Sequence, residues 1–145
     1  MTRAKPEVVS YFALFHDSRR INEGRDENHG RSGAELAAHW RGELFELDDE
    51  SFDLLHTACV HHTDGLIAGD VSLQACWDTD RLDLERVGIR PKAKRLCTDA
   101  ARDCIEWASR RARRFHFDVS VEKCCLEFAG CTSGDVLASF VYEGL

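Results

Sequence analysis

The chain is short of proline, of positive charge and of long apolar runs. Pro6 and Pro91 are the only prolines in 145 residues. Proline interrupts helices, so this scarcity suits long helices and speaks against a turn-rich β fold. Asp and Glu number 26 against 19 Lys and Arg, a formal net charge of -7. A nucleic-acid backbone is a poor main ligand for such a surface, because its phosphates require a basic one. A local basic pocket remains compatible with that balance. No apolar stretch reaches the ~18 residues that would span a bilayer, so no membrane segment is expected. Seven cysteines are present (Cys59, Cys76, Cys97, Cys104, Cys124, Cys125 and Cys131), but none forms a Cys-x-x-Cys pair. A zinc ribbon and a thioredoxin-type redox motif therefore have no support. Cys124, Cys125 and Cys131 read as small buried apolar residues. The start, Met1-Thr2-Arg3-Ala4-Lys5, is basic, but the apolar run behind it breaks at His16, which does not suit a secretory leader. With the odd cysteine count, this makes a reduced, cytoplasmic setting the expectation.

What is present is an ordinary globular composition, 43% hydrophobic and 31% charged. The length fits one domain with a single core. Residues 7 to 17 carry Val8, Val9, Phe12, Leu14 and Phe15 and predict a mostly buried helix ending at His16-Asp17. Ile21 to Gly33 is rich in Asn, Asp and Gly and reads as a loop. Asp26 or Asn28 is placed to cap a second helix, from about His29 or Arg31 to Leu44. Asp48-Asp49-Glu50-Ser51 marks the start of a third, since an acidic first turn complements the helix dipole. That helix ends at the turn His61-His62-Thr63-Asp64-Gly65. Val71 to Val87 predicts a fourth helix, and Lys92 to Arg114, beyond Pro91, a fifth. Phe117, Val119, Val121 and Cys125 roughly alternate with polar residues, which allows a strand. Val136 to Tyr142 is apolar again. The expected organisation is an all-α helical domain over 1–114 followed by a tail over 115–145.

The stretch Phe12 to Arg20 carries the first chemistry. An apolar run stops at His16-Asp17 and passes at once into Ser18-Arg19-Arg20. A neutral imidazole beside an ionised carboxylate can bind one divalent cation. The arginines beyond it suit an anionic group such as phosphate. Later come His29, the pair His61-His62, and Asp78-Thr79-Asp80-Arg81-Leu82-Asp83.

In this order the set resembles the HD-domain superfamily of metal-dependent phosphohydrolases, whose signature is H…HD…D with further histidines between HD and the last Asp. The Asp78–Asp83 stretch is similar to the ADRLH-type motif of the alarmone hydrolases, which makes Asp80, rather than Asp78, the matching ligand. His61-His62 resembles the paired histidines of the HD-GYP branch, although the GYP signature is absent. The resemblance covers roughly residues 8 to 100. It implies an HD-type helical bundle that hydrolyses a phosphate ester or anhydride, with a nucleotide as the substrate class. His16, Asp17 and Asp80 would form the core metal site, and His29, His61 and His62 would serve a second ion. Mixed imidazole and carboxylate ligands suit Mn, Fe, Co, Ni or Zn better than Mg. Asp17 would take part in catalysis, and Arg20 and Arg81 would neutralise charge on a small phosphorylated substrate. A homo-oligomer is compatible with the sequence.

The pattern departs from the family in one place. The family's first His lies on a helix ahead of HD, and no His occurs among residues 1–15. The sequence would then begin inside a longer chain, or that ligand would be lost. The second case leads to a rival expectation: a non-catalytic HD-like module that binds a nucleotide or a protein partner. A third reading is a structural metal site using thiolates, for which Cys59 and Cys76 are the cysteines nearest the motifs.

Overall fold

Four helices bring their apolar sides to one core. In the computed structural model, residues 3–22 and 26–117 are described, with side chains up to residue 112. Helix α1 is Pro6–Phe15 and buries Val8, Val9 and Phe12 at helical spacing. Pro6 sits in its first turn, where a missing N–H costs nothing. Lys5 ties this end down: its backbone N donates to Ser72 Oγ (3.1 Å), and its Nζ donates to Glu50 Oε2 (2.7 Å) and Ser51 Oγ (3.0 Å). The starts of three helices are thereby stitched together.

Helix α2 is His29–Trp40, and Asn28 precedes it without a side-chain capping bond. Asp26 organises the approach instead, accepting from Ile21 N and from Asn28 N, both at 3.2 Å. The helix stops at Trp40 rather than running on to Leu44. Arg41 is extended and Gly42 takes φ 85°, a left-handed turn that glycine adopts readily. The turn returns Phe45 to the core, against Tyr11 (ring centroids 4.4 Å apart) and Phe15 (5.4 Å).

Helix α3 is Asp49–His61. Its cap is as expected: Asp48 accepts from Ser51 N (2.9 Å) and Ser51 Oγ (2.6 Å). Leu55, Ala58 and Cys59 on this helix have no exposed surface. Helix α4 is Val71–Asp83, capped by Asp70 on Ser72 N (2.7 Å). It buries Cys76 and Trp77, and the Trp77 indole donates to the Ala58 carbonyl across the core (3.2 Å). The expected helix to Val87 is realised in two pieces, because α4 tightens into a 3-10 turn, Leu84–Val87, closed by Gly88 at φ 82°.

The expected helix over Lys92 to Arg114 does not form as one piece. A 3-10 turn, Ala93–Arg95, is followed by α5, Asp99–Asp103, and α6, Ile105–Phe117. The break has a physical cause. Leu96 is fully buried, and the carboxylate of Asp78 holds the next backbone out of helix by accepting from Cys97 N (2.6 Å), Thr98 N (3.0 Å) and Thr98 Oγ1 (2.8 Å). Thr98 then caps α5 through Ala101 N (3.1 Å).

Among the described residues the regular elements are helical, with one isolated bridge between Arg41 and Phe45, and the fold is all-α. Helix α6 continues to Phe117, so the expected boundary after residue 114 falls inside a helix, and residues 115–117 are helical rather than the start of a strand. Val119, Val121, Cys125 and Val136 to Tyr142 lie outside the described residues. No described helix is long and apolar enough to cross a membrane.

Candidate metal centre

Three histidines from three different helix ends point into one site. His16 is the C-cap of α1, His29 opens α2, and His62 is the C-cap of α3. Each ring is held the same way. His16 Nδ1 lies 2.9 Å from the Phe12 carbonyl and His62 Nδ1 lies 2.7 Å from the Cys59 carbonyl, while His29 Nδ1 bonds the Asp26 carbonyl. A carbonyl oxygen only accepts, so each Nδ1 carries a proton and each ring turns its Nε2 into the site. Imidazoles that ligate metals are commonly oriented by such a bond on the other nitrogen.

These Nε2 atoms face Asp17. Its Oδ1 is 3.2 Å from His29 Nε2 and 3.6 Å from His62 Nε2, and those two nitrogens are 2.9 Å apart. One donor atom from each of Asp17, His29 and His62 falls within a 4.8 Å span. His16 Nε2 sits on the other side, 3.8 Å from Asp17 Oδ2 and 3.7 Å from Asp80 Oδ1. Asp17 therefore offers one oxygen to His29 and His62 and the other towards His16 and Asp80.

Two Nε2 atoms 2.9 Å apart are at hydrogen-bond distance when one ring is protonated there. Two ligands each about 2.1 Å from a common ion also stand roughly 3 Å apart, so the separation fits a shared cation as well. Asp17 Oδ1 is buried and has no hydrogen-bond partner, as a ligand oxygen would be before its ion. The donor set of nitrogens and carboxylate oxygens suits a first-row transition metal.

The electrostatics agree in direction. The His62 ring holds the Asp17 carboxyl far below the ordinary carboxylate range against the opposing effect of burial, and the rings of His16 and His29 add to the lowering. Burial alone would lower His62, but the nearby Asp17 carboxylate, the bond to the Cys59 carbonyl and the charge of Asp80 leave it raised. Burial pushes Asp80 up, with the rings of His16 and His62 opposing.

Close backbone packing makes the convergence possible. A Cβ on Gly30 would meet the Cys59 carbonyl well inside contact distance, and one on Gly33 would meet the Phe15 carbonyl. The start of α2 thus lies directly against the ends of α1 and α3, where their histidines emerge.

Other sequence candidates go elsewhere. His61 is half exposed and pairs with Asp64 (2.7 Å), one residue and about 100° around the helix from His62. Arg81 is buried and donates to the carbonyls of Arg95 (2.8 Å) and Leu66 (2.7 Å), which holds two loops against α4 rather than facing an anion. Asp78 clamps Cys97 and Thr98, so Asp80 is the carboxylate of this stretch that meets the histidines. Arg20 stays beside the site, 3.4 Å from Asp17 Oδ2. Cys59 and Cys76 are core residues whose thiols burial pushes up, Cys59 to about 12, and neither belongs to the donor cluster. Sequence reading missed the carbonyls of Phe12, Asp26 and Cys59. Their signal was present: each lies three or four residues before its histidine, within reach of a ring at a helix end.

Models of known protein families, curated proteins and solved structures were each compared with the chain, and none matches it.

Proposed function

We propose that the chain is a divalent-metal phosphohydrolase of HD type, acting on a phosphate ester or anhydride. The observation that carries this reading is the meeting of the Nε2 atoms of His29 and His62, 2.9 Å apart, at the unpartnered Asp17 oxygen. His29, His62 and Asp17 Oδ1 would hold one ion, and His16, Asp80 and Asp17 Oδ2 lie where a second would share Asp17. A bound transition metal supplies positive charge against a phosphoryl oxygen and lowers the pKa of water. The chain's own residues set the frame. The three Nδ1–H bonds fix the ring planes before any ligand arrives, so little reorganisation is needed. Arg20, at the edge of the site, is placed to donate to a phosphate oxygen and offset its charge. Overall, water oxygen joins phosphorus while the bond from phosphorus to the leaving oxygen breaks.

The test is a hydrolysis screen over phosphomonoesters, nucleotides and pyrophosphate, with protein loaded in turn with Mn, Fe, Co, Ni and Zn. Wild type should turn over at least one class, and His62→Ala and Asp17→Asn should lose it by about a hundredfold or more. Full metal loading without turnover of any class would contradict the enzyme and leave a non-catalytic metal-binding module.

A further inference from the structure

A solvent-open pocket of about 500 Å³ adjoins the candidate metal centre, lined by Asp17, Arg20, Ile21, Asn22, Arg86 and Val87. Asp17 belongs to the candidate metal centre, and Arg20 stands beside it, its Nη1 3.4 Å from Asp17 Oδ2 and its Nε donating to the Asn22 carbonyl at 3.0 Å. Arg86 comes from the 3-10 turn after α4, 66 residues away in sequence, and is held by Asp83 at 2.9 Å. Two arginines thus line one pocket on a chain of net charge -7. The guanidinium is a planar forked donor that matches a tetrahedral oxyanion. The apolar lining residues are Ile21 and Val87, 85% and 52% exposed. They can cover the apolar body of a ligand whose charged end lies between the arginines.

We propose that Arg86 is a substrate-binding residue, which with Arg20 grips the phosphate of a monoester whose apolar body rests on Ile21 and Val87. The assignment rests on the phosphohydrolase reading for the position of the phosphate. The pocket itself makes a prediction that needs no turnover. A free phosphate dianion would use the arginines alone, whereas a monoester with an apolar body would also use the aliphatic pair.

The experiment is calorimetric titration of inorganic phosphate and of phenyl phosphate into the full chain, with Mn and with EDTA, in wild type and four variants. Metal content and melting temperature are recorded for every sample. Arg86→Gln and Arg20→Gln should each weaken both probes by about tenfold or more, as expected for one charge-assisted hydrogen bond. Val87→Ser should weaken phenyl phosphate and leave inorganic phosphate unchanged. Arg90→Gln, which removes an arginine paired with Glu106 outside the pocket, should change neither. The proposal is overturned if wild type binds neither probe, if folded Arg86→Gln binds both as wild type does, or if Arg90→Gln loses as much. Metal bound normally with no Arg86 effect sinks this assignment alone. Arg86-dependent anion binding in protein that takes up no metal sinks the phosphohydrolase reading and leaves the anion pocket standing.

Discussion

Asp17 is the residue on which the site turns. It is surrounded by three imidazole Nε2 atoms, and its Oδ1 is buried without a donor. Its carboxyl is held low chiefly by the His62 ring, and Arg20 lies 3.4 Å from its Oδ2. A carboxyl lowered on folding contributes stability above its unfolded pKa, which an amide does not supply. Asp17→Asn should therefore melt, in EDTA at pH 8, below the wild-type temperature. Adding Mn should raise the wild-type melting temperature by several degrees, because a ligand at a hundred times its Kd contributes about 2.7 kcal/mol. The variant should show no such rise. A variant that melts at or above wild type in EDTA would mean that the rings and Arg20 do not stabilise the carboxylate. The motif order made His16, Asp17, His29, His62 and Asp80 legible in the sequence. It singled out Asp80 over Asp78, but it did not separate His61 from His62, and it gave Arg81 a phosphate-binding task in place of its bonds to the carbonyls of Arg95 and Leu66. Neighbouring positions on a helix differ by about 100° in direction, and only the packing of α3 and α4 decides which one faces the site.

At the scale of elements, glycines and a carboxylate hold the site's walls in place. Alanine at Gly30 or Gly33 would push α2 away from a carbonyl that cannot move without its helix. Each should cost about 1–3 kcal/mol in urea unfolding, the range for overpacking. Gly69→Ala meets only ordinary contacts and should stay within about 0.5 kcal/mol of wild type. Equal effects at all three positions would rule out close packing at the start of α2. Asp78→Ala should cost about 1–3 kcal/mol by leaving the Cys97 and Thr98 donors without their acceptor. Its metal content should equal that of wild type, and a loss of metal would mean that Asp78 is a ligand. The caps of α3 and the end of α1 were readable because capping is local in sequence. The division of Lys92 to Arg114 was not, since it depends on Asp78, about 20 residues earlier, and on the burial of Leu96.

The whole molecule joins this site to a core that contains thiols. Burial holds the Cys59 thiol at about 12 and raises Cys76 as well. Both folded-state values lie above that of a thiol in an unfolded chain, about 8.5. Their contribution is therefore complete below that pH and is lost as pH rises towards the folded values. Each thiol can remove at most about 1.4 kcal/mol per pH unit in that window. Urea midpoints measured at pH 8 and pH 10.5 should fall less in Cys59→Ala than in wild type, and an equal fall would show that Cys59 is not buried as described. Cys59, Cys76 and Cys97 form no disulfide, so reductant should leave the fold around them unchanged.

The central claim is that His29, His62 and Asp17 hold a metal ion. The most direct measurement is elemental analysis of tag-free protein after loading with Mn or Fe, beside Asp17→Asn and Asp80→Ala. At least one transition-metal ion per chain in wild type is predicted, with loss in Asp17→Asn and a lowered content in Asp80→Ala. No metal in wild type after loading, or equal metal in wild type and Asp17→Asn, would contradict it.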